Sequence, residues 1–394
     1  MMRRILFVDD EPMVLQGLQR SLRPMRQEWQ MEFVGGGADA LAAMERSPFD
    51  VIVTDMRMPG MDGAQLLEQV KIKFPRTVRF VLSGQSSREV ILRSIAPAHQ
   101  HLSKPCDLDE LKQKLVRALA LQDLLHNPAV REVVSQLHQV PSPPSLYLQI
   151  TEELQLPDVS IGKIGATIAR DMGMAAKILQ VVNSAFFHVP CYVSSPAHAV
   201  SLLGIDNIRA LVLSVHIFSA LDSKLAADLS ILWEHSLSTA NFAKAIAHCQ
   251  GGDQRLEGGA FTAGLLHDIG VVVLASSFVE KYREILQKAG TPLATWQQEQ
   301  EMFGCAHGEI GAYLLGLWGL PGPVVEAVAW HHRPSQAVPD AFCPLIAVHV
   351  ADRLHYHTAL PNRPDDIDKQ LLDQLGLQSQ LPIWEQACAD LEKR

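Results

Sequence analysis

Short apolar runs separated by polar turns open the chain. Ile5–Val8 is a run of four ended at once by Asp9-Asp10-Glu11, and Val14, Leu15, Leu18 and Leu22 then share one helical face. Met31–Val34 predicts a second strand, Gly35–Gly37 a loop and Ala38–Met44 a helix. Val51–Val53 is a third strand; Asp55 stands just past its carboxyl end, and Pro59-Gly60 turns the chain back. Leu66, Leu67 and Val70 mark the next helix, Val78–Leu82 a strand ended by Ser83, and Val90, Ile91 and Ile95 a further helix. A weak strand near His99–Leu102 leads into Lys104-Pro105 and a last helix from Leu108. Five alternations of strand and helix predict a doubly wound α/β domain over residues 1–122.

The pattern then changes. Leu108, Leu111, Leu115 and Leu119 continue a stripe toward Leu125 until Asn127-Pro128 interrupts it. That extension is either a packed helix or a transmitter of the first domain's state. Pro141–Pro144 is a rigid spacer, so residues 123–144 read as a linker. From Ser145 the spacing is helical: Ile161, Ile164 and Ile168; Ala175, Ile178, Leu179 and Val182; then the apolar stretch Ile208–Phe218. No strand signal interrupts it, and Ile346–Leu354 closes an all-α domain over 145–358. Residues 359–394 hold an acidic, proline-punctuated loop and the amphipathic LPIWEQACADL, whose Trp384 is expected to pack back on the domain rather than on a partner.

Composition narrows the function classes. Residues 1–120 carry 17 basic and 15 acidic side chains and the remainder 17 and 28, giving +2 and −11. No basic stripe of the kind that phosphate-backbone binding needs is present, so direct DNA binding is not expected. Six scattered cysteines without a C-x-x-C pair, and no signal peptide, suggest reduced, mostly buried thiols of a soluble cytoplasmic protein. No apolar stretch is read as approaching the ~18–20 residues of a spanning helix, so membrane insertion is not expected.

Asp55 alone could be a nucleophile, a metal ligand or a solvated loop acid. Its surroundings decide: Asp9 and Asp10 end strand one, Ser83 ends strand four and Lys104 ends strand five, all on one edge of the sheet. Clustered carboxylates suit a hard cation such as Mg2+, and a hydroxyl with an ammonium suits phosphoryl oxygens. This combination resembles the receiver (CheY-like, flavodoxin-like) domain of two-component response regulators. The resemblance implies Asp55 as phospho-acceptor, Asp10, Asp55 and the Arg57 carbonyl as Mg2+ ligands, and Asp9 acting mainly through water. Ser83 and Lys104 would bind the phosphoryl group. Where the family usually has an aromatic switch residue, this chain has His101.

In the second half, KILQVVNSAFF and SPAHAVSLLGIDNIRALVL resemble the HDOD output module. His235, His267-Asp268, His307, His331-His332 and Asp352 follow in an order similar to the HD phosphohydrolase superfamily and its HD-GYP branch, which hydrolyses cyclic dinucleotides. Imidazoles and carboxylates on neighbouring helices can converge on one or two ions such as Fe or Mn, or form a purely structural network. Three positions depart from HD-GYP: Val271 stands where a lysine follows the His-Asp turn, Arg333-Pro334-Ser335 replaces Gly-Tyr-Pro, and Ile231 takes a ligating glutamate's place. The resemblance thus implies a response regulator, paired with a sensor histidine kinase, whose HDOD domain signals through downstream proteins; a homodimer is left open. The alternative is a phosphorylation-gated, metal-dependent phosphodiesterase acting on a cyclic dinucleotide.

Overall fold

The computed structural model describes residues 2–83, 97–104, 107–121, 127–137, 149–150, 152–154, 158–183, 189, 193–205, 208, 229–359 and 367–393. Contacts divide the chain into two compact units: Met1–His138 with Gln180–Cys191 and Gly316–Gly319, and the remaining residues.

The first unit is built on five parallel strands, β1 (Arg3–Val8), β2 (Trp29–Val34), β3 (Val51–Asp55), β4 (Val78–Ser83) and β5 (Gln100–Ser103), in the order β2-β1-β3-β4-β5. Helices α1 (Pro12–Ser21), α2 (Gly37–Arg46), α3 (Gly63–Lys73) and α4 (Leu108–Leu121) supply the crossovers and covering layers that buried parallel strands require. Ile5, Leu6, Val51 and Ile52 are fully buried, as expected for central strands apolar on both faces. The order reverses between β1 and β3, and a doubly wound sheet opens its crevice at that point, outside the carboxyl ends of the strands. Strand β3 runs two residues further than its apolar run and includes Asp55, because Thr54 and Asp55 stay in register with Val81 and Leu82. The helix expected at Val90–Ile95 and the Pro141–Pro144 spacer lie outside the described residues, as does most of the Ile208–Phe218 stretch.

Past α4, helix α5 (Pro128–Gln136) is seated by a residue that sequence reasoning passed over. Arg79, 1% exposed on β4, donates to the carbonyls of Thr77, Pro97 and Ser135, and Arg76 pairs with Glu132 at 3.1 Å. A buried guanidinium is tolerable only with its donors met, and helix-end and turn carbonyls meet them here.

Among its described residues the second unit's regular elements are all helices, as the spacing predicted. Its main members are α6 (Ile161–Ile168), α7 (Met172–Val182), α8 (Pro196–Leu203), α9 (Ser230–Cys249), α10 (Gln254–Leu266), α11 (Ile269–Ser277), α12 (Val279–Ala289) and α13 (Trp296–Phe303), followed by α14 (His307–Leu317), α15 (Gly322–Trp330), α16 (Pro344–Ala359), α17 (Lys369–Gln374) and α18 (Leu381–Glu392). Helix α9 packs against α10, α16 and α18, and α16 also against α10 and α15. Trp384 on α18 is fully buried with its ring 5.8 Å from that of Phe342, so it packs back on its own unit.

One sequence expectation needs correcting. Arg255–Ser277 is long and apolar enough to cross a membrane by length and composition. Its apolarity serves packing: 89% of the apolar window is buried inside the protein, and the stretch is two helices joined at His267-Asp268. Among the cysteines, Cys305 and Cys388 are buried, Cys343 is intermediate, and Cys249 is exposed.

Candidate functional site

At the carboxyl edge of the sheet, Asp9 and Asp55 are 1% and 6% exposed. Lys104 reaches both, with Nζ 2.7 Å from Asp9 Oδ2 and 2.5 Å from Asp55 Oδ1. Burial alone would lower the lysine's pKa, but the hydrogen bonds and charges of Asp55 and Asp9 outweigh it and raise it above the usual value. The second oxygen of each carboxylate is held by the backbone: Asp9 Oδ1 accepts from Glu11 N, and Asp55 Oδ2 from Arg57 N at 2.8 Å. Asp55 is therefore oriented on one side and neutralised on the other. Gly60, with φ of +79°, makes the turn after β3. Asp10 is half-buried next to Asp9, and His101 is buried on β5. Ser83 ends β4 opposite Ser103, and its side chain lies outside the described residues. The carboxylates of Asp9 and Asp55 supply only oxygen acceptors, the donor type that Mg2+ takes.

In the second unit, the seven residues singled out from the sequence come together. His235 lies on α9, His267 ends α10, Asp268 opens α11, His307 opens α14, His331 and His332 follow α15, and Asp352 lies on α16. Asp268 occupies the N-cap position of α11, yet its side chain makes no capping hydrogen bond. Its carboxylate turns instead into the cluster. Close helix approach makes this geometry: a Cβ on Gly270 would stand 2.0 Å from the His307 carbonyl oxygen, and one on Gly264 2.8 Å from the Ala240 backbone. Only glycine allows His307 and His235 to come so near the His267-Asp268 turn.

Asp268 faces two ways. Its Oδ2 is 3.2 Å from His267 Nε2 and 3.9 Å from His235 Nε2; its Oδ1 is 3.2 Å from His307 Nε2 and 3.7 Å from His331 Nε2. Asp352 Oδ1 lies 3.0 Å from His235 Nε2 and 3.8 Å from His267 Nε2. Two sets of ligand atoms result, His235-His267-Asp268 and Asp268-His307-His331-His332, each with all atoms within 4.8 Å of one another.

Hydrogen bonds to the other ring nitrogens set the directions of the lone pairs. His267 Nδ1 donates to Gly264 O, His331 Nδ1 to Val328 O and His307 Nδ1 to Glu299 Oε2 at 2.8 Å. Each leaves Nε2 aimed at the centre, the arrangement in which an outer acceptor orients a metal-ligating imidazole. His331 Nε2 is fully buried with no hydrogen-bond partner, and Asp352 Oδ2 accepts none. A buried lone pair without a donor is costly, and a cation is a partner of the right sign. The donor set therefore fits a divalent transition metal.

Burial shifts these groups in opposite directions. Burial alone would raise the Asp268 pKa, but His267 and His307 hold it well below the carboxylate range; Arg353 and His235 do the same for Asp352. Burial would lower His267 and His307, but Asp268 and Asp352 keep the first, and Glu299 and Asp268 the second, above the ordinary histidine value. His331 drops to about 3 through burial and the neighbouring His267 and His307.

Sequence reading missed Glu299, which is fully buried on α13 and accepts from Tyr282 Oη, Thr295 Oγ1, the His307 backbone N and His307 Nδ1. It stands in a glutamine- and glutamate-rich stretch where nothing marks it as interior. His355, whose Nδ1 is 2.9 Å from His235 Nδ1, and Arg353 were also missed. Val271, in the place of a catalytic lysine, is fully buried core.

Comparison with known proteins identifies the family of each domain. Residues 5–116 match the response regulator receiver domain family, and residues 140–334 match the HDOD domain family. The chain carries a receiver domain followed by an HDOD domain, the makeup of a response regulator. An uncharacterized protein of Treponema pallidum is 31% identical over 55% of this chain and 42% of its own length. The response regulator protein PilR of Pseudomonas aeruginosa is 29% identical over 33% of this chain and 28% of its own length. The chain thus matches less than half the length of either relative. Among solved structures, the MmoQ response regulator of Methylococcus capsulatus is similar at 24% identity, covering 63% of this chain and 98% of that one with a TM-score of 0.48. The signal receiver domain of an HD domain-containing protein from Pseudomonas fluorescens covers 31% of this chain and 98% of its own at 30% identity, with a TM-score of 0.30.

Proposed function

We propose that a sensor histidine kinase phosphorylates this response regulator on Asp55, and that phosphorylation controls an HDOD domain (about residues 145–358) acting by protein–protein interaction in the cytoplasm. The observation that carries this reading is Lys104, 2.5 Å from the Asp55 oxygen opposite the one tied to the Arg57 backbone. Asp55 Oδ1 attacks the phosphorus of a phosphohistidine; the P–N bond breaks, and the imidazole nitrogen leaves with the electron pair. Lys104 and Ser83 then hold phosphoryl oxygens, which draws Lys104 away from Asp9 and alters the surface near His101. Asp10, Asp55 and the Arg57 carbonyl would hold Mg2+, with Asp9 acting through water; the ion supplies charge neutralisation there.

The test is phosphoryl incorporation into the full chain from an acyl-phosphate donor with Mg2+, read by intact mass. The wild type should gain one phosphoryl group and Asp55→Asn none. Incorporation by Asp55→Asn at the wild-type level would overturn the assignment.

A second reading has its own support in the unpartnered His331 Nε2 among the histidines and aspartates. It makes the HDOD domain an iron- or manganese-dependent phosphodiesterase acting on a cyclic dinucleotide. Against it stand buried Val271 and the Arg333-Pro334-Ser335 turn after the paired histidines. Hydrolysis of cyclic dinucleotides by metal-loaded protein, abolished by His267→Gln with Asp268→Asn, would establish it; partner binding that survives this double change would favour the interaction module.

A further inference from the structure

Strand β5 is an edge of the sheet, paired with β4 alone. An edge strand has one hydrogen-bonded neighbour and an open side that another segment can cover. Strand β5 also leads directly into Lys104, whose ammonium holds Asp9 and Asp55, so a displacement of that lysine reaches β5 first.

Two segments distant in sequence are bonded to this strand. The first unit takes in Gln180–Cys191 and Gly316–Gly319, both from the stretch that matches the HDOD family. Gln180 Nε2 donates to the His99 carbonyl and Gln100 Nε2 to the Gly316 carbonyl, each at 3.2 Å. Gly319 has φ of +78°, and a Cβ there would stand 3.4 Å from Gln100 Cδ, so the turn closes on that side chain. A cavity of about 20 Å3, room for a single water, is bounded by Gln100, His101, Lys114, Gln180 and Trp318. Buried Gln100 Oε1 accepts no hydrogen bond. An imidazole does not fit in so small a space. His101 and its strand therefore have nowhere to move while both segments stay in place.

We propose that Gln180 and Gly316–Gly319 form a clamp on β5 that is closed in the unphosphorylated receiver and that phosphorylation of Asp55 opens, as Lys104 leaves Asp9 and shifts β5. This rests on the reading that Asp55 is the phospho-acceptor. Clamp and phosphoryl group then oppose each other, and linkage makes the opposition reciprocal: a looser clamp favours the phosphorylated form. Both hydrogen bonds run from glutamine side chains to backbone carbonyls, so each can be removed without touching Asp55, Lys104 or Ser83.

The test uses the full chain with an acyl-phosphate donor and Mg2+, reading phosphoryl incorporation by intact mass and amide hydrogen exchange by peptide. Phosphorylation should speed exchange about fivefold or more over residues 98–103 and 314–320, and leave Arg3–Val8 unchanged. Gln100→Met and Gln180→Met each lose one donor, and each should bind beryllofluoride with Mg2+, a reversible mimic of the phosphoryl group, about threefold more tightly in calorimetry. Unchanged exchange in protein whose mass shows the phosphoryl group, or unchanged beryllofluoride affinity in both variants, would overturn the clamp while leaving the Asp55 assignment intact. No phosphoryl incorporation would overturn that assignment and the clamp with it. If neither variant folds, exchange in the wild type decides alone.

Discussion

The two polar centres of this protein solve the same electrostatic problem in different ways. At the sheet edge, two buried carboxylates are neutralised by one flexible ammonium whose side chain is 23% exposed. Among the helices, the carboxylates Asp268, Asp352 and Glu299 are neutralised by imidazoles locked through hydrogen bonds to helix-end carbonyls and to one another. A lysine on a four-carbon stem can let go of one partner and take another at little cost, which suits a site that must respond. Imidazoles pinned through their outer nitrogens to backbone carbonyls and Glu299 cannot, which suits a site that must keep its shape. The difference lies in where the freedom is left: in a side chain in the first unit, and only in protons and ions in the second.

Breaking the rigid centre should have the largest effect. Gly270→Ala puts a methyl group against the His307 carbonyl oxygen, and backbone cannot yield as a side chain can. We expect the helical unit to lose about 3 kcal/mol or more in denaturant unfolding, with the receiver's transition unaffected. A loss under about 1 kcal/mol would mean that the helices have more slack than the geometry implies.

The responsive centre should lose less. Lys104→Met leaves Asp9 and Asp55 facing each other without a cation; because the lysine is partly solvated, about 2 kcal/mol is expected. Mg2+ should restore most of it, since an added ion does the work of the ammonium. Absence of rescue would show that the lysine's role is packing.

The pH response sharpens the contrast further. His267 and His307 have folded pKa values above the unfolded 6.5, so the stability they confer is complete below about 6.5 and is lost as pH rises. His331, at about 3, and His355, at about 4, are depressed, and their contribution is lost as pH falls below 6.5. His332 and His349 shift the same way, chiefly through burial. Asp268 and Asp352 are held low, so their contribution disappears only at still lower pH. The chelator-treated helical unit should therefore be most stable near pH 6.5, with its melting midpoint falling on both sides. A midpoint rising steadily to pH 9 would contradict this. The smallest effect belongs to the exposed Lys73–Glu45 pair at 3.3 Å: Lys73→Ala should change stability by less than about 0.5 kcal/mol in either unit.

The sequence by itself determined the order of strands and helices, because buried parallel strands and helix faces each write their own apolar period. It also determined which residues could meet. Asp9 and Lys104 follow strands, and Asp55 ends one, whose carboxyl ends share one edge by topology. The His-Asp order was readable only through family resemblance, since residues 235 to 352 span several helices with no fixed spacing of their own.

Only the tertiary structure decided the partners. Glu299 carries no mark in its polar stretch; it is defined by Tyr282, Thr295 and His307 closing around it. Arg79 reads as an ordinary strand residue until three carbonyls converge on its guanidinium. His331 and His332 are neighbours of identical type, yet one donates its outer proton to a carbonyl and the other accepts from Arg353. A sequence fixes which protons and lone pairs are available. What each of them faces depends on backbone positions a few ångströms apart, which local periodicity does not encode.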